Sequence, residues 1–436
     1  MTLVIATATP FHGHVQPVLT VAADLVRRGH EVVVLTGSRF AEQVKAVGAL
    51  HVSLPSAADF DDRKLELYFP ERAAIPAGPA QIDYDMKYIF GDPTAAQYGA
   101  LKNLLDRRFP ASVVISDPLF LGTAALALSA PPGRRPVTVS LGITMPTLLS
   151  EDAPPIGLAV PPLTGEDAKQ RHREMNEQVK QMMAGAQSHI EENFGESGVQ
   201  LPGFILDCLV TVPDHYLQLT VPGFEYPRGD APPSFRFIGP LAREPHGTEE
   251  LPEWWTDVQN ADRPVVVVTQ GSFDNRDLGR LIRPTLEALA DEDVLVVAAT
   301  GRPEGPTEIE TAAPVPPNAR LAGYVPFDLL LPHASVLVTN GGYGGVHQAL
   351  QHGVPLVVGG DGEDKPEIGA RVEWSGVGID LRSGDPSAGD VRKAVLRVLG
   401  ETGYLTRAGE LRGEFGERDA LGVIAGVVES AGVVVS

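Results

Sequence analysis

The sequence predicts an α/β protein of two Rossmann-like domains with parallel sheets, facing each other across an interdomain cleft. Three observations predict it. Strand, helix and strand follow one another within residues 1–37. A proline- and glycine-rich stretch interrupts the chain near its middle. After that stretch the same rhythm restarts.

The first run, "LVIATA", is short and rich in β-branched residues, so it reads as a buried strand. "VQPVLTVAADLVRRG" places Val15, Val18, Leu19, Ala22, Leu25 and Val26 at helical spacing, with Pro17 expected in the first turn. Gly29 ends that helix and "EVVVLTG" is the next strand. "ASVVISDPLF" is a later strand of the same sheet, ending at Asp117. The stretch from Glu166 to Phe194 reads as one long polar helix with Met182 and Met183 on it. Its methionines fit an ordinary apolar stripe better than an adaptable ligand wall. The linker is "VPGFEYPRGDAPPSFRFIGPLAREPHGTEELPEW". Beyond it come "PVVVVTQGSF", "DLGRLIRPTLEALA", "DVLVVAATG" and "SVLVTNGGYGGVHQALQHGVPLVVGG", again strands and helices in alternation. The expected domains are residues 1–221, with 222–250 as linker, and 251–436, with the C-terminal helix free to return to the first domain.

Composition narrows the function classes. The chain of 436 residues is long enough for two buried cores. Its formal charge of −21 argues against nucleic acid or an anionic membrane as the main partner. A single cysteine, Cys208, permits no internal disulfide and points to a reducing compartment, so a cytoplasmic protein is expected. "MTLVIATA" lacks a basic n-region, and the C-terminal "LGVIAGVVESAGVVVS" is too short for a membrane span.

Two constellations carry chemistry. In "VTNGGYGGVHQAL", Gly341, Gly342, Gly344 and Gly345 lie between a strand and a helix. Glycines admit close approach to the backbone, and a helix N-terminus offers unpaired N–H groups, which suits a diphosphate. No "GxxxxGK[ST]" motif occurs, which argues against ATP hydrolysis. "TQGSFDN" is a weaker second turn of the same kind. The other constellation is "TATPFHGHVQP", where His12 and His14 occupy the strand-to-helix turn in which a dinucleotide-binding protein has glycines. Imidazole titrates near neutral pH and serves as a general base.

These segments resemble family-1 glycosyltransferases of the GT-B fold, the UDP-glycosyltransferase-like group that includes bacterial macrolide and antibiotic glycosyltransferases. The resemblance covers essentially the whole chain. It rests on "HGHVQP", "RRGHEVVVLT", "ISDP", "RFIGPL", "TQGS" and, above all, the stretch from Gly323 to Leu381 that begins "GYVPFDLLLPHASVLVTNGGYGG". It implies His14 as general base and Asp117 as the aspartate that orients it. On the donor side it implies Tyr324 stacked on the base and Val325 at the base edge. Ser272, Asn340, Gly342, Gly344 and Gly345 line the diphosphate, Gln348 holds the ribose, and Asp364 and Lys365 read the sugar. The chain departs from the family pattern at Asn340, often histidine, and at Gly344–Gly345, often Asn–Ser. Gln348 is often glutamate and Lys365 often glutamine. Two readings of Lys365 stand side by side: a cation on the sugar, or a solvated surface charge beside Glu363.

The expected reaction is inverting transfer of a sugar, glucose above others, from an NDP-sugar, UDP above others, to a hydroxyl of an apolar small molecule. No metal and no cofactor is expected, since no "DxD"-type cluster stands at a strand end. The enzyme is expected to be a monomer or weak homodimer. Loops around residues 55–100 and 140–200 are expected to build the acceptor pocket. Two other classes fit the same frame: an NDP-sugar epimerase or hydrolase, and a non-catalytic nucleotide-sugar-binding homologue.

Overall fold

The computed structural model describes residues 2–76, 78–107, 111–241, 251–271 and 275–433. Among these, the first sheet has seven strands: β1 (Leu3–Thr7), β2 (Glu31–Thr36), β3 (Leu50–Ser53), β4 (Val113–Ser116), β5 (Val137–Gly142), β6 (His215–Gln218) and β7 (Phe235–Phe237). Their order is β3-β2-β1-β4-β5-β6-β7. The second sheet has six: β8 (Val265–Thr269), β9 (Leu295–Ala299), β10 (Ala319–Ala322), β11 (Val336–Thr339), β12 (Leu356–Val358) and β13 (Gly378–Asp380). Their order is β10-β9-β8-β11-β12-β13. All recorded pairs are parallel. Central strands such as β1 and β8 are continuous aliphatic runs because both of their faces are covered.

Each sheet is sandwiched between apolar cores. Val4, Ala6, Val32 and Val34 face one side of the first sheet, and Ile5, Val33 and Leu35 face the other. In the second sheet Val267 and Leu337 face one core and Val266 and Val338 the opposite one. The helix Ala420–Val433 packs on the first sheet, where Ile424, Ala425 and Val428 join the core beneath the helix His12–Arg27. Met145, Val221 and Phe224 extend the second domain's core toward the first. Among the described residues no helix is long and apolar enough to cross a membrane.

Two local expectations change. The first helix spans His12–Arg27, so both histidines lie in its opening turn and Pro17 lies inside it. Phe11, in extended conformation, is its N-cap. A proline there withholds the N–H that would meet the Gly13 carbonyl. The stop is as read: Gly29 has φ +86°, and its N–H donates to the Val26 carbonyl. The long polar helix divides at Met183 into Ala168–Met182 and Ala184–Glu196. Each half keeps its own stripe, Ala168, His172, Asn176 and Val179 in one and Ala186, Ile190 and Phe194 in the other. Met182 is exposed, and Met183 packs on the core.

Candidate active site

Strands β1 and β4 are neighbours, with Thr7 opposite Ser116. The chain leaving β1 enters the helix that carries His14, and the residue leaving β4 is Asp117. The side chains meet: His14 Nδ1 is 3.0 Å from Asp117 Oδ1. Asp117 is fully buried and two backbone N–H groups fix it, Thr9 on Oδ2 at 2.7 Å and Leu119 on Oδ1 at 2.8 Å. An ionised carboxylate only accepts, so the Nδ1 facing it carries the proton and Nε2 keeps its lone pair. The His14 ring is one-fifth exposed, and Phe90 lies nearly parallel to it with centroids 6.1 Å apart. Phe11 flanks it at 5.6 Å. His12 is an exposed residue, and its backbone N–H donates to Asp62 Oδ2 at 2.7 Å. The two histidines are therefore unequal: His14 has the carboxylate partner on the sheet.

The second domain uses the same edge of its sheet. Strand order sets out, from one side to the other, Tyr324–Val325 after β10, Gln270–Gly271 after β8, Asn340–Gly345 after β11 and Asp364–Lys365 beyond β12. Tyr324 is 60% exposed, a large aromatic surface with no cover, while Val325 is buried. Asn340 is buried and donates from Nδ2 to the Gln270 carbonyl at 2.6 Å, tying the two turns together. Gly341 has φ +89°, and a Cβ there would stand 2.6 Å from Val358 Cγ1, so the fold itself demands glycine. Gly342 is the N-cap of the helix Tyr343–Gln351. At Gly342, Gly344 and Gly345 a Cβ would meet nothing within 4 Å. These three keep the helix N-terminus open rather than relieving a clash, and its first-turn N–H groups are free of intrahelical partners. Gln348 is half-buried one turn further along, on the face of Gly344. Ser272 lies outside the described residues.

Asp364 is the N-cap of the helix Lys365–Trp374 and accepts from Thr144 Oγ1 of the first domain at 2.8 Å. Burial pushes its carboxyl above the usual range against the pull of that bond. Lys365 is only 5% exposed. Its stem runs beside Gly360 and Gly341, and its Nζ is 3.0 Å from Glu363 Oε2. Two further contacts join the helix Tyr343–Gln351 to β6 and the residues just after it: Gln218 Nε2 donates to the Tyr343 hydroxyl at 2.9 Å, and Thr220 Oγ1 lies 2.7 Å from His347 Nε2. Among the described residues no group of three or more His, Cys, Asp or Glu could hold a metal ion.

A sequence-family model for the C-terminal domain of erythromycin biosynthesis protein CIII-like proteins matches residues 283–425. The chain is 38% identical to UDP-glycosyltransferase 2 of Phaeomoniella chlamydospora over 428 residues, 97% of this chain and 94% of that protein. It is 38% identical to 4'-demethylrebeccamycin synthase of Lentzea aerocolonigenes over 423 residues, 96% of each chain. The chain belongs to the UDP-glycosyltransferase family. The fold agrees: the crystal structure of the glycotransferase of kitacinnamycin superposes with a TM-score of 0.73 at 24% identity, covering 99% of this glycosyltransferase and 98% of the other chain.

Within the glycosyltransferase, one of the two readings of Lys365 is corrected. It is not a solvated surface charge, because the glycine-lined bed of Gly341 and Gly360 covers its stem. Sequence reasoning missed Thr144, Phe90, Gln218 and Thr220. None stands in a motif, since each is brought in by the packing of one domain on the other or of a loop on a helix. The available signal was coarse: Phe90 and Thr144 lie within the stretches expected to build the acceptor pocket, Gln218 ends β6 and Thr220 follows it.

Proposed function

We propose that this glycosyltransferase is inverting and metal-independent, moving glucose from UDP-glucose to a hydroxyl of an apolar, natural-product-like small molecule. The observation that supports this most is the His14–Asp117 pair, with its buried carboxylate fixed by two backbone N–H groups and its imidazole beside the Phe11–Phe90 pair. His14 Nε2 takes the acceptor's O–H proton as that oxygen bonds to the anomeric carbon. The bond from that carbon to the diphosphate oxygen breaks from the opposite face. Asp117 stabilises the imidazolium that forms. The departing diphosphate carries its negative charge to the open N-terminus at Gly342, Gly344 and Gly345, and Asn340 sits beside it. Tyr324 stacks on the uracil with Val325 at its edge, Gln348 holds the ribose, and Asp364 with Lys365 meets the sugar. Ser272 joins the diphosphate contacts. The aromatic flank of His14 favours an apolar acceptor, and a relative named for an antibiotic-type product, 4'-demethylrebeccamycin synthase, supports that class. A single buried cysteine, whose thiol burial raises to about 11, fits work in a reducing cytoplasm.

The test is incubation with UDP-glucose, with and without EDTA, against a panel of phenols and polycyclic alcohols, read by mass spectrometry. The expected result is acceptors heavier by one hexosyl group, unaffected by EDTA. Free glucose released without acceptor, binding of UDP-glucose without any turnover, or activity restored to the EDTA-treated enzyme only by magnesium or manganese would overturn the reading.

A further inference from the structure

The segment from Thr144 to Val160 leaves β5 and has no strand or helix of its own. It is held from the other domain, by the helix Lys365–Trp374, at successive turns. Asp364 accepts from Thr144, as above. One turn on, Glu367 Oε1 accepts two backbone N–H groups, Gly157 at 2.8 Å and Ala159 at 2.6 Å. Gly157 has φ +98° and Ala159 φ +51°. Two left-handed residues so close together turn their N–H groups into one concave nest, and here the nest is filled by a carboxylate of the opposite domain. Ala159 is not glycine, so its backbone holds an unfavourable conformation only while something fixes it.

The carboxylate is itself fixed. Glu367 is 7% exposed, and its Oε2 accepts from Arg371 Nη1 at 2.9 Å. Arg371 is fully buried, donates from Nε to both oxygens of Glu225 and lies 4.1 Å over the Tyr226 ring. Glu225 also meets Arg228 Nη1 at 3.3 Å, and Arg228 reaches the carbonyls of Pro146 and Leu148. Burial alone would raise the Glu225 carboxyl, but the two guanidinium charges outweigh it and hold it below its usual range. The charged chain thus starts at Gly157 and returns to the same segment at Pro146. The loop also carries Ile156, which packs both against the second domain's core and against the first-domain cluster of Leu121, Ile190 and Phe194, onto which Phe90 packs as well. Phe90 is the ring beside His14.

We propose that Glu367 is a positioning residue for the acceptor: from the donor-side domain it fixes the backbone of residues 153–160, and so the seat of Ile156 on the cluster that also supports Phe90. The inference rests on the acceptor site proposed above. Acceptor affinity then depends on a side chain that touches neither substrate.

The experiment compares Glu367→Ala and Glu367→Gln with the unaltered enzyme. The first readout, hydrogen exchange at the Gly157 and Ala159 amides without substrates, is independent of any activity. The second is the separation of acceptor KM from UDP-glucose KM. Glu367→Ala should speed exchange at both amides at least tenfold and raise acceptor KM roughly tenfold, with donor KM changed less than about twofold. Glu367→Gln keeps one oxygen for the nest and should lie between, and it carries the test if the alanine variant does not fold. Unchanged exchange at both amides, or acceptor and donor KM rising by the same factor, would overturn the proposal. If no acceptor is turned over, the function reading fails, while the exchange result still decides whether Glu367 holds the loop.

Discussion

The turns after β1 and β4 and the turns after β8 and β11 occupy equivalent places in two sheets that share one strand order, to which the first sheet adds β7 at its edge. Their chemistry is opposite. In the first domain the helix opens with side chains, and the proposed working pair is an imidazole against a buried carboxylate. In the second it opens with glycines, and the available groups are backbone N–H. A parallel α/β sheet delivers both at its carboxyl edge because helix starts and strand ends coincide there. Side chains suit the site that must move a proton. Bare backbone suits the one that must receive an anion.

The first way to break this comparison is to remove the side-chain site. His14→Ala should lower kcat/KM by about two to four orders of magnitude, since it deletes proton transfer. UDP binding, followed by calorimetry, should stay within about twofold. His12→Ala, at an exposed position, should cost little. A reversal of that order would move the base to the other histidine.

A second histidine tests whether any imidazole near the cleft would serve. His347 stands in the helix Tyr343–Gln351, and burial pulls it down to about 4 from 6.5, with the bond to the Tyr343 carbonyl opposing. Its Nδ1 faces that carbonyl at 2.8 Å, so Nδ1 is the donor and Nε2 accepts from Thr220. The folded state holds it neutral, whereas the unfolded chain takes up a proton below pH 6.5. Stability present above pH 6.5 should therefore fall as the pH drops toward 4 and flatten below, by up to about 3 kcal/mol in all. Urea midpoints across that range should show the slope, and His347→Gln should flatten it. An unaltered slope in the variant would assign the acid loss to other groups.

The paired sheets were legible in the sequence because both-sided burial makes aliphatic runs, and because glycine and proline mark what lies between them. The two histidines and the glycines were legible because they fill turns that follow strands, whereas the choice of His14 over His12 and its pairing with Asp117 came from the family resemblance. Thr144, Phe90 and Glu367 were not legible. Their partners are distant in sequence, as 220 residues separate Thr144 from Asp364, and nothing local encodes such a meeting. The break at Met183 was hidden for another reason, since the polar pattern continues through it.

The glycines separate two demands that the sequence alone merges. Gly344→Val adds a side chain where nothing lies within 4 Å, so thermal stability should hold while donor KM rises roughly ten- to a hundredfold. Gly341→Ala does the reverse. At φ +89° and 2.6 Å from Val358, it should cost about 1–3 kcal/mol of stability. Melting temperature and donor KM measured on both variants decide the matter. A Gly344→Val enzyme with unaltered donor KM would show that the diphosphate does not use this helix end.

The smallest expected effect belongs to Lys365, at the far end of the same row. Its ammonium pairs with Glu363, whose backbone has φ +54°, so the lysine helps to shape the turn that presents Asp364. Glu363 is 41% exposed at its side chain, so water can replace the lost partner, and the turn should shift rather than collapse. Lys365→Gln restores the residue common in the family, with an amide that both donates and accepts. A single hydrogen bond to a sugar hydroxyl is worth about 0.5–1.5 kcal/mol, so the ratio of kcat/KM between UDP-glucose and UDP-galactose should move by roughly two- to tenfold. Competition between the two donors in one reaction measures that ratio directly. Asp364→Ala supplies the contrast, because it removes an acceptor for sugar hydroxyls together with the bond to Thr144, and it should depress transfer from both donors. A fixed donor ratio in Lys365→Gln, beside a collapsed rate in Asp364→Ala, would leave the carboxylate as the sugar's only reader in this turn and confine the lysine to holding Glu363.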